Sequence, residues 1–137
     1  MTFEDLPSDW TTRPLHDPTL CHDIVDLCLS FRDRSASSLL TLFADDQDVP
    51  IGTPVLIGGM DWTCDTAERK EGLDMLAAIG PPAVLFGISA RTPIPESTAQ
   101  RWLEDAERSC QAADVRFLGF YSVDMEEIRQ LSTAPGQ

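Results

Sequence analysis

The residues best suited to acid–base or metal chemistry lie close together near the start of the chain. His16 and His22 are the two histidines of the sequence, and Asp17, Asp23 and Asp26 accompany them. Two metal ligands on one face of a helix stand three or four residues apart, whereas these histidines stand six apart. The spacing favours ordinary surface histidines over a metal site, and we predict no cofactor.

Serine and cysteine supply the candidate nucleophiles, and no base accompanies either in the sequence. Ser89 and Ser97 lie in the second half of the chain, far from both histidines, so a serine site requires a long-range contact that the sequence leaves open. Neither G-x-S-x-G nor a P-loop occurs. The cysteines form no C-x-x-C pair, which argues against a zinc knuckle or a redox dithiol. We predict Cys28 and Cys110 as small core residues.

Composition limits the class of partner. The chain has 23 acidic and 10 basic residues among 137, which gives a formal charge of −13. Such a charge repels phosphate backbones and anionic lipid, so we expect neither nucleic-acid nor membrane binding. Three interpretations of the charge stay open: solubility, an acidic face offered to a basic protein partner, or mimicry of nucleic acid.

The start of the chain bears on location. No run of about 20 apolar residues occurs, and the opening stretch MTFEDLPSDW is acidic where a signal peptide is basic and then apolar. We therefore expect a cytoplasmic protein. Residues 1–14 are predicted as an N-terminal arm, and we favour packing of Trp10 on the domain because an exposed tryptophan is costly.

Apolar periodicity predicts the elements that must position these side chains. An Asp-Pro pair at positions 17–18 marks a helix start, and apolar residues at helical spacing extend the helix over residues 18–32. Two apolar runs at residues 38–43 and 54–57 flank a turn-rich stretch and predict an antiparallel hairpin. A second helix is expected over residues 65–79.

The segment from residue 83 to residue 123 organises the rest of the chain. It reads as strand, proline-rich loop, helix and strand, and two strands joined through a helix lie parallel. Ser97 stands three residues before Gln100, which is a capping-box pattern for the helix start. After this segment, the stretch DMEEIRQL at residues 124–131 predicts a short helix capped by Asp124.

These elements together predict an α/β fold: a three-layer sandwich with a mixed four-stranded sheet and helices on both faces. One antiparallel hairpin and two right-handed parallel crossovers account for the sheet. The strand at residues 83–88 is expected to lie centrally because it is apolar on both faces. The α/β domain covers residues 15–131, and residues 132–137 form a C-terminal tail.

This order of elements is shared by the zinc deaminases and the JAB/MPN metalloprotease-like domains. The deaminase motifs H-x-E or C-x-E and P-C-x-x-C are absent. From Phe31 to Asp124 the chain resembles a JAB/MPN domain, particularly the RadC-like branch, in which a strand precedes H-x-H-P, a proline-rich loop, S-x-x-D and a long helix. The stretch ARTP at residues 90–93 falls at the first motif, and STAQ at residues 97–100 falls at the second.

The resemblance implies a zinc site held by two histidines and an aspartate, with a glutamate from the early strands that activates water. Ala90, Thr92 and Gln100 stand at the ligand positions, and no glutamate occurs between Phe31 and Glu68. Zinc needs imidazole, thiolate or carboxylate ligands, which these side chains do not supply. The resemblance therefore implies a member that lost its metal and has no zinc-dependent peptidase or deaminase activity.

The function that we predict is a non-catalytic binding or interaction domain, a metal-free JAB/MPN-like pseudoenzyme. The alternative is a small hydrolase or other enzyme with a ligand groove at the C-terminal ends of the parallel strands. We expect a protein partner, and the acidic charge makes a basic one the natural candidate. A homo-oligomer stays open.

Loops that follow parallel strands converge at one edge of a sheet, where backbone groups and helix N-termini supply donors. The predicted rim for a ligand or partner consists of Gly58, Gly59, Asp61, Trp62, Ser89, Arg91, Thr92 and Ser97. Trp62 and Arg91 belong to the residue types most often found as binding anchors. The alternative is that Trp62 packs on the second helix and Arg91 pairs with a nearby carboxylate.

Overall fold

The computed structural model describes residues 6–133, which contain both helices and strands. In chain order they are a 3-10 helix (Trp10–Thr12), α1 (Pro18–Cys28), α2 (Phe31–Ser35), β1 (Leu39–Ala44), β2 (Val55–Ile57), α3 (Thr66–Ala78), β3 (Ala83–Ser89), α4 (Glu96–Ala112), β4 (Arg116–Val123) and β5 (Ile128–Thr133). The predicted α/β class is confirmed.

The strands form one mixed sheet in the order β2-β1-β3-β4-β5. β1 pairs antiparallel with β2 and with β3, whereas β3 and β4 run parallel on either side of α4 in the sequence. Both the hairpin and the parallel pair were predicted from the apolar runs, and both are confirmed. All seven residues of β3 are buried, as its central position requires.

A fifth strand corrects the prediction of four strands and of a final short helix. Asp124 does not start a helix but closes a turn, in which its Oδ1 accepts hydrogen bonds from the backbone N–H groups of Glu126 and Glu127 at 2.7 and 3.0 Å. β5 then returns antiparallel along β4. An aspartate that accepts from the following N–H groups stabilises a turn as readily as a helix start, so the cap alone did not decide the element.

The two ends of the chain are described only in part. Residues 1–5 of the predicted arm and residues 134–137 of the predicted tail lie outside the described residues. Residues 132 and 133 belong to β5 and not to a tail. In the arm, Trp10 is half-buried and packs with Leu6 against the hydrophobic core, which confirms the expected packing on the domain.

The first predicted helix, over residues 18–32, is interrupted in the structure. α1 starts as expected, with the Asp17 side chain accepting from the backbone N–H of Thr19, but it ends at Cys28. Ser30 then caps α2 through a capping box, in which its hydroxyl accepts from the N–H of Asp33 and the Asp33 carboxylate accepts from the N–H of Ser30. The second cap explains the break, since it satisfies a new helix start.

Side chains that alternate along the sheet enter two separate hydrophobic clusters. Leu39 and Phe86 belong to the cluster that contains buried residues of α3 and α4. Leu40 and Leu85 belong to the other, together with Ile24 of α1. Because successive strand residues point to opposite faces, both faces of the central strands are covered.

Candidate functional site

The loops that follow β2 and β3 meet as predicted, and direct hydrogen bonds hold them together. Trp62 Nε1 donates to the carbonyl oxygen of Ser89 at 2.9 Å. Ser89 Oγ donates to the Ser38 carbonyl at 2.7 Å and accepts from the Ser38 N–H at 3.1 Å. The Gly59 N–H donates to the Ala36 carbonyl at 2.7 Å. Polar groups at this end of the sheet therefore hold the fold together.

Trp62 is a structural residue of the predicted rim. Its side chain is only 8% exposed, and its ring meets the ring of Trp102 edge to face, with the centroids 5.0 Å apart. Trp102 Nε1 in turn donates to the backbone carbonyl of Trp62 at 2.9 Å. The alternative placed Trp62 on the second predicted helix; its ring does pack on a helix, but the ring that it meets belongs to α4.

Except for the buried Ser89, the other rim residues lie at the surface. Arg91 and Thr92 are exposed, and no ion pair of Arg91 occurs within residues 6–133, so the expected carboxylate partner is not found there. Ser97 does not cap α4, which begins at Glu96 with Pro95 at the cap position and no side-chain cap bond. The capping-box prediction is wrong because the Ala99 N–H already bonds to the Pro95 carbonyl at 2.9 Å.

The histidines lie away from the candidate serines. His16 Nε2 is 2.6 Å from Asp48 Oδ2, and the guanidinium of Arg116 binds the same carboxylate. Arg116 begins β4, whereas Ser89 ends the parallel strand β3 beside it. A strand of seven residues spans about 20 Å at about 3.3 Å per residue, so His16 and Ser89 occupy opposite ends of the sheet. The described chain does not assemble a serine nucleophile with a histidine base.

The thiols are poorly suited to nucleophilic chemistry. All four cysteines are free, and burial raises the pKa of Cys21 and of Cys28 to about 11 and that of Cys110 to about 12. A thiol with such a pKa is protonated near neutral pH, and only the thiolate attacks. Cys110 is a core residue as predicted, while Cys28 is half-buried. Within the described ranges, no three His, Cys, Asp or Glu side chains are grouped so that they could hold a metal ion.

A groove that the sequence did not reveal lies between the free edge of the sheet and α3. We call it the edge groove; its cavity volume is about 330 Å³. Its apolar lining comprises Leu39 and Ile57 of the sheet, Leu73, Met75 and Leu76 of α3, and Trp102 of α4. Met75 is 69% exposed, and Ile79, one turn beyond it at the end of α3, is 64% exposed. The groove and its margin therefore present a continuous apolar surface.

Gly72 keeps the middle of the edge groove open. It lines the groove from the interior of α3, and no atom lies within 4 Å of the position that a Cβ would occupy. Glycine in a helix interior costs about 1 kcal/mol relative to alanine, so this position weakens the helix and leaves free space. The sequence signal for the groove was present in α3, whose apolar residues lie on more than one face.

The electrostatic surroundings of the edge groove are acidic. Asp61 and Glu68 line it, and Asp65 stands between them in the sequence. Burial raises the pKa of Cys64 in the groove, and the charges of Glu68, Asp61 and Asp65 raise it further, while Arg69 lowers it. Arg69 itself forms an ion pair with Asp105 on α4.

The carboxylates of the edge groove have no ion-pair partner among the described residues. Hydrogen bonds from the side chain and the backbone of Thr63 lower the pKa of Asp61, so it is ionised at neutral pH. No ion pair to Asp61, Asp65 or Glu68 is formed by a residue between positions 6 and 133. The edge groove thus combines an apolar lining with carboxylates that form no ion pair among residues 6–133, and Arg69, whose charge also acts on Cys64, is paired with Asp105.

Comparisons of this chain with protein-family models, with curated proteins and with solved structures found no match. Among the helices of the described region, none has the length and apolar character needed to cross a membrane. The candidate site is consequently defined by its own geometry: an apolar, acidic-rimmed groove beside a free strand edge.

Proposed function

We propose that this protein is a non-catalytic interaction domain and that the edge groove receives a segment of a protein partner. The observation that carries the proposal is the exposed apolar surface of the groove and its margin, where Met75 and Ile79 are more than half exposed. Contiguous apolar surface beside a cavity is typical of protein-interaction sites. The predicted rim contributes Gly59 and Asp61 to the lining of this groove.

The resemblance to JAB/MPN domains supports the same proposal from another direction. The positions of the family's zinc ligands hold Ala90, Thr92 and Gln100, of which Ala90 is half-buried and the other two are exposed. We propose a JAB/MPN-like pseudoenzyme with a three-layer arrangement, which the two clusters on opposite faces of the sheet support. Four free thiols favour a reducing compartment, and we propose the cytoplasm.

The hydrolase alternative finds little support in the described geometry. The hydroxyl of Ser89 is engaged by the backbone of Ser38, and the histidines bond to Asp48 and Asp23. Metal analysis and activity assays test this side of the proposal directly. Stoichiometric zinc in the purified protein, or a peptidase or deaminase activity that a chelator removes and zinc restores, would overturn it.

Peptide selection tests the binding side of the proposal. A random peptide library is selected on the wild-type protein, and the selected peptides are then tested on the Gly72→Leu variant, in which a leucine fills the open space of the groove. Gly72→Ala is the matched control, because alanine strengthens the helix equally but leaves most of the space free. We expect selected peptides to bind the wild type and Gly72→Ala similarly, and Gly72→Leu at least tenfold more weakly.

Thermal unfolding of all three proteins shows that the variants fold. Peptides that bind Gly72→Leu as well as they bind the wild type, or a selection that enriches no sequence, would contradict a binding role for the groove. Leucine at position 72 meets no atom within 4 Å of its Cβ and improves helix propensity, so a loss of binding is not explained by unfolding.

A further inference from the structure

The strand that borders the edge groove has a free hydrogen-bonding edge. Within residues 6–133, β2 is terminal in the sheet and pairs with β1 on one side only. Edge strands expose unpaired N–H and C=O groups, and proteins usually protect them by keeping the strand short or with lysine, proline or a bulge. β2 is short, at three residues, and Pro54 precedes it. β2 reads Val-Leu-Ile and carries no charge, and Leu56 and Ile57 are 41% and 40% exposed. This edge is apolar, and no charged side chain of β2 protects it.

The edge and the groove together match an extended segment better than a helix. Side chains of an added strand alternate between the two faces of the sheet, so every second one would enter the edge groove beside Ile57, and the others would lie beside Leu56. The backbone of the added strand would satisfy the free edge of β2, whereas a helix has no unpaired backbone groups to offer along its length.

The charge around the groove selects the chemistry of the occupant. Asp61 and Glu68 line the groove and form no ion pair within the described residues, so lysine or arginine of an occupant would find unpaired carboxylates. A second copy of this chain carries the same formal charge of −13 and is repelled. A basic partner fits both the local and the overall charge.

Resting on the proposed function, we propose that the occupant is an extended basic segment of a partner protein, in which every second residue is apolar and faces the edge groove, and lysine or arginine stands at the ends of the segment. The segment adds a sixth strand along β2. Its apolar side chains fill the edge groove around Gly72, and its cations meet Asp61 and Glu68 at the rim.

Defined peptides test this proposal. The probes are an eight-residue peptide in which valine alternates with threonine between two lysines at each end (the lysine–valine peptide), its counterpart with glutamate in place of lysine, and a lysine–leucine peptide spaced for an amphipathic helix. We expect the lysine–valine peptide to bind, to bind more weakly at high salt, and to slow amide hydrogen exchange at residues 55–57. The Gly72→Leu variant should lose this binding, while Gly72→Ala should keep it.

Charge variants sharpen the same experiment. Asp61→Asn keeps an acceptor for the bonds from Thr63, and Glu68→Gln keeps the shape of the side chain, so both variants should fold. Each is expected to weaken binding about two- to fivefold, which is the usual size of a rim charge pair. Glu104→Gln, an exposed carboxylate of α4, is the control and should leave the affinity unchanged.

These experiments distinguish a failure of this inference from a failure of the proposed function. Binding that depends on Gly72 but favours the glutamate peptide or the helical peptide, or that leaves the exchange of residues 55–57 unchanged, would overturn this inference and keep the proposed function. A dimer seen by sedimentation and dissociated by Gly72→Leu would also overturn it, in favour of a second copy. Absence of any Gly72-dependent binding, by these probes and by selected peptides, would overturn both proposals.

Discussion

Strands β3 and β2 run in the same direction within one sheet, yet they differ in nearly every property that bears on function. β3 has a neighbour on each side and is buried along its whole length. β2 has one neighbour, comprises three residues and is partly exposed. Polar groups at the end of β3 hold the fold together, and apolar groups beside β2 lie open. In this chain the closed centre provides stability and the open edge provides the candidate binding surface.

The largest expected difference between the two strands concerns truncation of buried side chains. Phe86 of β3 is 1% exposed, and replacing it by alanine should lower the free energy of unfolding by about 3–5 kcal/mol. Leu56→Ala on β2 is the control and should cost no more than about 1 kcal/mol, because that side chain is already partly in water. Denaturant titrations measure both; equal costs would abolish the contrast between centre and edge.

Alkaline pH should distinguish the buried thiol of Cys21 on α1 from the thiol of Cys64 in the edge groove. Burial raises the pKa of Cys21 from 9.0 to about 11, so above pH 9 the thiol of the unfolded chain ionises while the folded one stays protonated. The unfolded state then binds fewer protons, and stability falls as the pH rises, by about 1.4 kcal/mol per pH unit for this thiol. Denaturation curves between pH 8 and about 11 should show a shallower loss for Cys21→Ala. Cys64→Ala, in the edge groove, should change the slope less.

Substitutions of Trp62 and Arg91 compare a buried and an exposed residue of the predicted rim by their effect on the free energy of unfolding. Trp62→Phe removes the donor to the Ser89 carbonyl and should cost about 1–3 kcal/mol, since that buried oxygen loses a partner. Arg91→Ala should change the free energy of unfolding by less than about 0.5 kcal/mol, as is usual for an exposed side chain without partners. Thermal and chemical unfolding measure both effects. The reverse order would make Arg91 the structural residue.

The smallest predicted effect is a gain in stability. Gly72→Ala should raise the free energy of unfolding by up to about 1 kcal/mol, because alanine favours the helix and the position has room for a Cβ. A denaturant titration with well-determined baselines resolves a change of this size. A loss of stability would mean that the open space at Gly72 is smaller than described.

Most of the fold was predictable because local signals agreed with long-range packing. The run at residues 83–88 is apolar throughout, and only a strand with neighbours on both sides buries such a run. The last strand was missed because residues 128–133 contain few apolar residues, and pairing with β4, not periodicity, stabilises it. The turn at Asp124 carried a helix-start signal with no helix behind it.

The site was predictable only in part, for a similar reason. The convergence of the loops after β2 and β3 followed from strand direction, and the Trp62–Ser89 bond shows it. Whether Trp62 is buried depends on Trp102, forty residues away in the chain, which no local pattern indicates. The edge groove depends on Ile57 of the sheet and Met75 of α3, distant in the sequence, which line one cavity. Residues that become neighbours only in the folded chain leave no local signal.

The edge-to-face pair of Trp62 and Trp102 gives the protein an optical reporter of its own. Trp102 lines the edge groove and its ring meets that of Trp62, so an occupant would change the surroundings of Trp102 directly and those of Trp62 through the pair. The third tryptophan, Trp10, packs against the other hydrophobic cluster and supplies a constant background. The intrinsic fluorescence of the unlabelled protein should therefore follow the filling of the groove directly.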